Sequence, residues 1–140
     1  MSLQILFTNH GTILTGTVLE ADMLDDRSIR DFSEGVMNCL KKCPQPYLLL
    51  NFEHVRFMSS AVISELLRIN EYCRQRDGAL RLCGINRNIH EVFQITQLDR
   101  LFSVIPEEPA DKALQRFERS LALQQEAKTW NEPTPRDHEA

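Results

Sequence analysis

Residues 47–84 read YLLLNFEHVRFMSSAVISELLRINEYCRQRDGALRLCG, and the fold is decided there. The stretch opens on a continuous apolar run, YLLLNF at 47–52, broken only by Asn51. A strand with one wet face alternates apolar and polar residues. A run without alternation predicts a strand buried on both faces, as in a parallel sheet covered by helices. EHVRFMS at 53–59 predicts a loop with apolar anchors at Val55, Phe57 and Met58. From Ser59 or Ser60 to about Arg76 the period becomes helical. Val62, Leu66, Ile69 and Cys73 form one stripe, widened by Ile63 and Leu67, while Ser64, Glu65, Arg68, Glu71 and Arg74 point elsewhere. Asp77-Gly78 predicts the stop, with Gly78 as the left-handed terminator. ALRLCG at 79–84 predicts the next strand. Strand, helix, strand in this order implies a parallel crossover.

The flanking sequence extends the same alternation. LQILFT at 3–8 and TILTGTVL at 12–19 surround the turn signal Asn9-His10-Gly11 and predict a hairpin, with Gly16 as a candidate bulge. A helix capped by Asp25 or Asp26 is expected to run to about Lys42, with Ile29, Phe32, Val36, Met37 and Leu40 on one side. Lys41 and Lys42 suit its C-terminal dipole, and Pro44 and Pro46 break it. Downstream, 86–97 predicts a third helix with Ile89, Val92, Phe93 and Ile95 apolar. LFSVI at 101–105 predicts a last strand, with Pro106 and Pro109 flanking the turn that follows. Residues 110–127 predict an amphipathic helix using Ala113, Leu114, Phe117, Leu121 and Leu123. The expected order is ββαβαβαβα. It describes an α/β fold with a mixed sheet of about five strands, an opening hairpin and about four helices. The folded domain is expected to occupy 1–125. Residues 126–140, with Trp130 isolated and Pro133 and Pro135 among charges, read as a disordered tail.

Composition sets the outer bounds. A chain of 140 residues, 42% hydrophobic and 26% charged, suits one domain with a core. A net charge of -4 argues against nucleic acid as a bulk partner, because phosphate binding needs clustered Lys and Arg. The four cysteines, Cys39, Cys43, Cys73 and Cys83, form no Cys-x-x-Cys pair and read as reduced thiols. The N-terminus lacks a basic, then apolar, leader. No stretch reaches the ~18 apolar residues of a membrane span, so a cytoplasmic protein is expected.

Several chemistries have no sequence signal. No GxxxxGK[ST], GxGxxG or GxSxG occurs. His90-Glu91 starts like a zincin motif, but Gln94 stands where the second histidine belongs. His10, His54, His90 and His138 are scattered. No enzyme activity, cofactor or metal site is expected.

Ser59-Ser60, at the start of the second helix, admits two readings. A serine oxygen there can accept from a free first-turn amide, worth about 1 kcal/mol. A hydroxyl there can also take a phosphate, which the helix N-terminus tolerates and a docked partner does not.

The order of these segments resembles a STAS domain of the anti-sigma-factor antagonist branch. The likeness runs over about residues 3–125. It rests on the strand ending in Asn51-Phe52, the loop with Phe57-Met58, the paired serines and long helix, the Gly78–Gly84 strand, the Asn86–Leu98 helix and the Leu101–Ile105 strand. That family's site pattern is Asp-or-Ser, Ser, Ser-or-Ala, Gly, Leu. Laid on this chain, it gives Ser59 the first place, Ser60 the phospho-acceptor place, with Ser59 the alternative, and Ala61 the third. Val62 stands in the Gly place and adds bulk beside the acceptor. The resemblance implies a partner that is both anti-sigma factor and serine kinase, a serine phosphatase that reverses it, and a role in bacterial transcription control. It implies no membrane and no direct nucleic acid, and a monomer or weak dimer. The expected contact residues are Arg56, Phe57, Met58, Ser59, Ser60, Ser64 and Arg68, with Phe57 and Met58 alternatively plugging the core. The other reading within this fold is a scaffold or a nucleotide- or lipid-binding module of a stress-sensing or transport complex.

Overall fold

The computed structural model describes residues 5–19, 22–23, 26–100, 103–106 and 109–131. Among them the strands are β1 (Ile5–His10), β2 (Ile13–Val18), β3 (Asp22–Met23), β4 (Tyr47–Asn51), β5 (Phe57–Met58), β6 (Ala79–Ile85) and β7 (Ser103–Pro106). The α-helices are α1 (Asp26–Leu40), α2 (Ser60–Gln75), α3 (Arg87–Ile95) and α4 (Ala110–Asn131), with a 3-10 turn at Leu98–Arg100. Five strands form one sheet in the order β1-β2-β4-β6-β7; β1 pairs antiparallel with β2 and the other neighbours are parallel. The sheet is mixed and opens on a hairpin, as expected.

The apolar run of β4 is explained by its two covered faces. Leu48 and Leu50 join the larger core with Phe32, Val36 and Leu40 of α1, Val62, Leu66 and Ile69 of α2, and Phe93 of α3. Leu49 points to the other side, where it meets Ile13, Cys83, and Ala113 and Phe117 of α4. Helices α1, α2 and α3 thus form one layer, the sheet the second and α4 the third. Arg81 pins α4: its Nη2 donates to Ser120 Oγ at 2.9 Å, and its guanidinium lies 4.6 Å from the Phe117 ring centroid. No disulfide forms among the described residues. Cys73 sits in the core, where burial pushes its thiol up to about 12.

Several local expectations are corrected. Gly16 is no bulge, because β1 and β2 stay in register from Ile5↔Val18 to His10↔Ile13. It makes room instead: a Cβ there would lie 3.1 Å from a Leu50 methyl and 3.2 Å from the Phe7 ring. The bulge is at Gly84, where the β6–β7 register shifts and φ is +67. Strand β1 runs on through His10, so the hairpin loop is Gly11-Thr12, with Gly11 at φ +70. Helix α1 ends at Leu40, two residues before Lys42. Its capping by Asp25 or by the Asp26 side chain lies outside the described residues, as do Leu101 and Phe102 of the expected last strand. Helix α4 continues to Asn131, so 126–131 have helical backbone rather than the expected irregular tail. Residues 132–140 and the Trp130 side chain lie outside the described residues.

The end of α2 is also built differently. The left-handed residue is Asp77, φ +59, and not Gly78. Gly78 N–H donates to Cys73 O at 2.8 Å and Asp77 N–H to Arg74 O at 3.1 Å, the paired bonds of a Schellman terminator. Gly78 is required for closeness, since a Cβ there would overlap the Pro46 carbonyl. Asp77 therefore bears a backbone cost that glycine avoids. Asp77→Gly is expected to raise stability by about 0.5 kcal/mol, read from the urea midpoint at unchanged slope.

Candidate functional site

The loop between β4 and α2 follows directly from the packed sheet. Phe52 N–H donates to Cys83 O at 2.9 Å and carries the ladder one residue past β4. Asn51, nearly fully buried, then folds the chain back: its Oδ1 accepts from Glu53 N–H and its Nδ2 donates to Glu53 Oε1, both at 3.1 Å. Val55 N–H donates to Phe52 O at 2.9 Å, and the Val55 side chain enters the core. Arg56 pairs with Asp22 at 3.5 Å, and β5 lies parallel to β3 with Phe57 opposite Asp22 and Met58 opposite Met23. This short ladder occupies part of the expected loop. Two residues carry no readable period, so nothing in the sequence pattern announced it.

Helix α2 begins on the next residues. Ser59 is the N-cap in extended backbone, and its carbonyl accepts from Val62 N–H at 3.1 Å and Ile63 N–H at 3.3 Å. The expected side-chain cap is absent: Ser59 Oγ is buried and has no hydrogen-bond partner among the described residues. Ser60, the first helical residue, is exposed. The first turn, at the partly positive end of the helix, holds no acidic residue. Ser64 Oγ, exposed one turn later, donates to Ser60 O at 3.2 Å. Val62 is fully buried. Its bulk, which the sequence placed beside the expected acceptor, is directed into the core.

A groove of about 120 Å³ opens beside this helix start. Arg56, Phe57, Met58 and Ile63 form one wall, and Asn88, Ile89 and Val92 of α3 form the other. Of its lining residues, Phe57 is 53% exposed and Val92 45%. Single exposed apolar residues are ordinary; these two face each other across one groove. The alternative that Phe57 and Met58 both plug the core divides: Met58 packs partly on it, and Phe57 faces out with the Arg56 guanidinium 5.9 Å from its ring centroid. Arg68 is exposed, paired with Glu65 at 3.3 Å, and about 12 Å along the axis from Ser60.

The structure therefore gathers Arg56, Phe57, Met58 and Ser60 at one place, with Ser59 beneath and Ser64 beside them. Arg68 stands apart. The α3 wall was missed in the sequence, where Val92 read as one more member of an apolar stripe. Phe93 and Ile89 alone are buried, so the surplus of apolar residues over buried positions was the usable signal. No group of His, Cys, Asp and Glu among the described residues could hold a metal ion, and no helix among them is long and apolar enough to cross a membrane.

A family model described as the STAS domain matches residues 17–110. The chain belongs to the STAS domain family. The matched span runs from the end of β2 to the start of α4 and contains the whole groove. Solved STAS-like structures agree over most of the chain. An anti-sigma-factor antagonist (STAS) domain protein from Planctomyces limnophilus is 15% identical, covers 84% of this chain and 99% of its own, and superposes with a TM-score of 0.68. The Bacillus cell fate determinant SpoIIAA in its phosphorylated form is 16% identical, with 81% and 97% covered and a TM-score of 0.63. A sulfate transporter family protein from Wolinella succinogenes is 16% identical, with 79% and 88% covered and a TM-score of 0.65. At these identities the likeness carries the fold. No curated protein sequence matches the chain. In this STAS domain β5, the first turns of α2 and α3 together line the groove.

Proposed function

We propose that this STAS domain acts as a protein-binding switch of the anti-sigma-factor antagonist kind, set by phosphorylation of Ser60. One observation carries the reading: an exposed hydroxyl on the first residue of α2 lies close to an uncovered apolar groove. The neighbouring hydroxyl, on Ser59, is buried and out of an enzyme's reach. A phosphorylated neighbour of the same fold, SpoIIAA, supports the chemistry.

In this reading the unmodified face binds an anti-sigma factor that is also a serine kinase, and a sigma factor is released. Ser60 Oγ then takes the terminal phosphoryl group of ATP, loses its proton, and ADP leaves. The ester adds about two negative charges. The first turn of α2 accommodates them, whereas a surface packed against Ser60 must desolvate them or let go. A serine phosphatase hydrolyses the ester to serine and inorganic phosphate. The domain itself is a substrate and a binding partner, with no catalytic role.

Intact-mass analysis after incubation with serine kinases from the same genome tests the proposal. One added phosphate (about 80 Da) on the wild-type chain, lost in Ser60→Ala, is the expected result. A phosphate that survives Ser60→Ala, or none with any kinase, defeats it.

The groove also favours a second reading, a small amphipathic ligand held between β5 and α3. Native mass spectrometry of the purified chain decides between them: a co-purified lipid or nucleotide supports the ligand.

A further inference from the structure

We infer that Asn86 is the positioning residue of this docking face: one side chain that joins its two walls and holds Phe57 where a partner meets it. The inference rests on the switch reading above. Asn86 precedes α3 in extended backbone, and its Oδ1 accepts from Ile89 N–H at 2.9 Å, capping that helix. Its Nδ2 donates in the opposite direction, to Val55 O at 3.3 Å and Arg56 O at 3.1 Å. The two carbonyls belong to the residues just before Phe57-Met58. The α3 wall and the β5 wall are thus tied through a single amide, 30 and 31 residues along the chain from its loop partners.

The other restraints on this loop act at different points. Asn51 holds Glu53, the β3–β5 ladder holds residues 57–58 from the far side, and Arg56–Asp22 is an exposed pair of small worth. Among these described restraints, only the Asn86 amide joins α3 to the loop before Phe57. An amide suits the task because it is an acceptor at one end and a double donor at the other. Asp or Ser at this position would cap α3 equally well and would leave the loop unheld. Loss of the two donated bonds lets residues 55–58 fray while the core beneath stays packed, and a partner must then order them on binding.

Asn86→Ser separates the two roles, since serine keeps a neutral capping oxygen and replaces the two amide N–H donors with one hydroxyl on a shorter side chain. Three measurements on the full chain test it. Native-state exchange of the amides at 55–58 is expected to quicken about tenfold, with α3 and the core amides unchanged. The thermal midpoint should fall by only a few degrees. With the serine kinase that modifies Ser60, KM is expected to rise about tenfold at unchanged kcat, because the acceptor itself is untouched. Asn86→Asp, which also caps and cannot donate, should behave alike. Unchanged exchange at 55–58 overturns the inference, as does quickened exchange with a wild-type KM. If no kinase modifies the wild-type chain, the switch reading falls, and the inference, which depends on it, falls with it whatever the exchange at 55–58 shows.

Discussion

Gly84→Ala is expected to lower the stability of the chain by about 3 kcal/mol, the sum of a left-handed backbone cost and a lost buried hydrogen-bond pair. Gly84 has φ +67, a conformation that a Cβ makes unfavourable. The added carbon would also lie 2.5 Å from Asn51 Oδ1 and 2.8 Å from Glu53 N, against atoms that are hydrogen-bonded to each other. Backbone cannot step aside cheaply, so the Asn51–Glu53 bonds give way. Asn51 is nearly fully buried, and its amide is then left short of partners, which costs more than the bonds themselves contribute. A urea titration reads the change as a lower midpoint. A midpoint within error of wild type means that the bulge at Gly84 tolerates a side chain and that Asn51 and Glu53 do not approach it so closely. The damage is expected to spread to the face, because the loop that carries Arg56 and Phe57 starts at Glu53.

Ser60→Asp is expected to weaken binding to the cognate serine kinase by about a hundredfold or more, since a fixed charge must be desolvated where the partner packs. The fold should not notice. Ser60 is exposed, its side chain makes no core contact, and a carboxylate in the first turn of α2 suits the helix dipole by a few tenths of a kcal/mol. The thermal midpoint is therefore expected within a few degrees of wild type, and on the high side. Titration against the kinase gives the affinity; differential scanning gives the midpoint. Equal affinity for Ser60→Asp and the unmodified chain removes the switch. A large drop in the midpoint would show instead that Ser60 supports the fold.

What could be read from the sequence follows physical range. Leu48, Leu49 and Leu50 announced a strand covered on both faces because burial acts on each residue where it stands. The stripe Val62, Leu66, Ile69, Cys73 announced α2 for the same reason, and all four are buried. The start of α2 at Ser59-Ser60 was legible for the same local reason; the choice of Ser60 over Ser59 came from the family resemblance. The features missed are set by partners far along the chain. Asn86 looks like any residue before a helix until Val55 and Arg56 arrive beside it. Gly78 and Gly84 look like turn glycines, and only Pro46 and Asn51 show why no side chain fits. Asp77 takes the left-handed place because it is the residue just past the Arg76 cap, where such a terminator turns. Val62 looked like an obstacle beside the acceptor until its helical phase put it in the core.

The sheet order β1-β2-β4-β6-β7 follows the order of the chain. Each strand made on the ribosome pairs with one already made, and none has to be inserted later between two others. A chain emerging from its N-terminus can therefore grow this sheet outward in sequence, one crossover at a time. The groove proposed for docking draws on β5, α2 and α3, so its last contributor ends at Ile95. All of its parts are synthesised before the closing strand and the C-terminal helix, which leaves the final third of the chain to lock a surface already laid down.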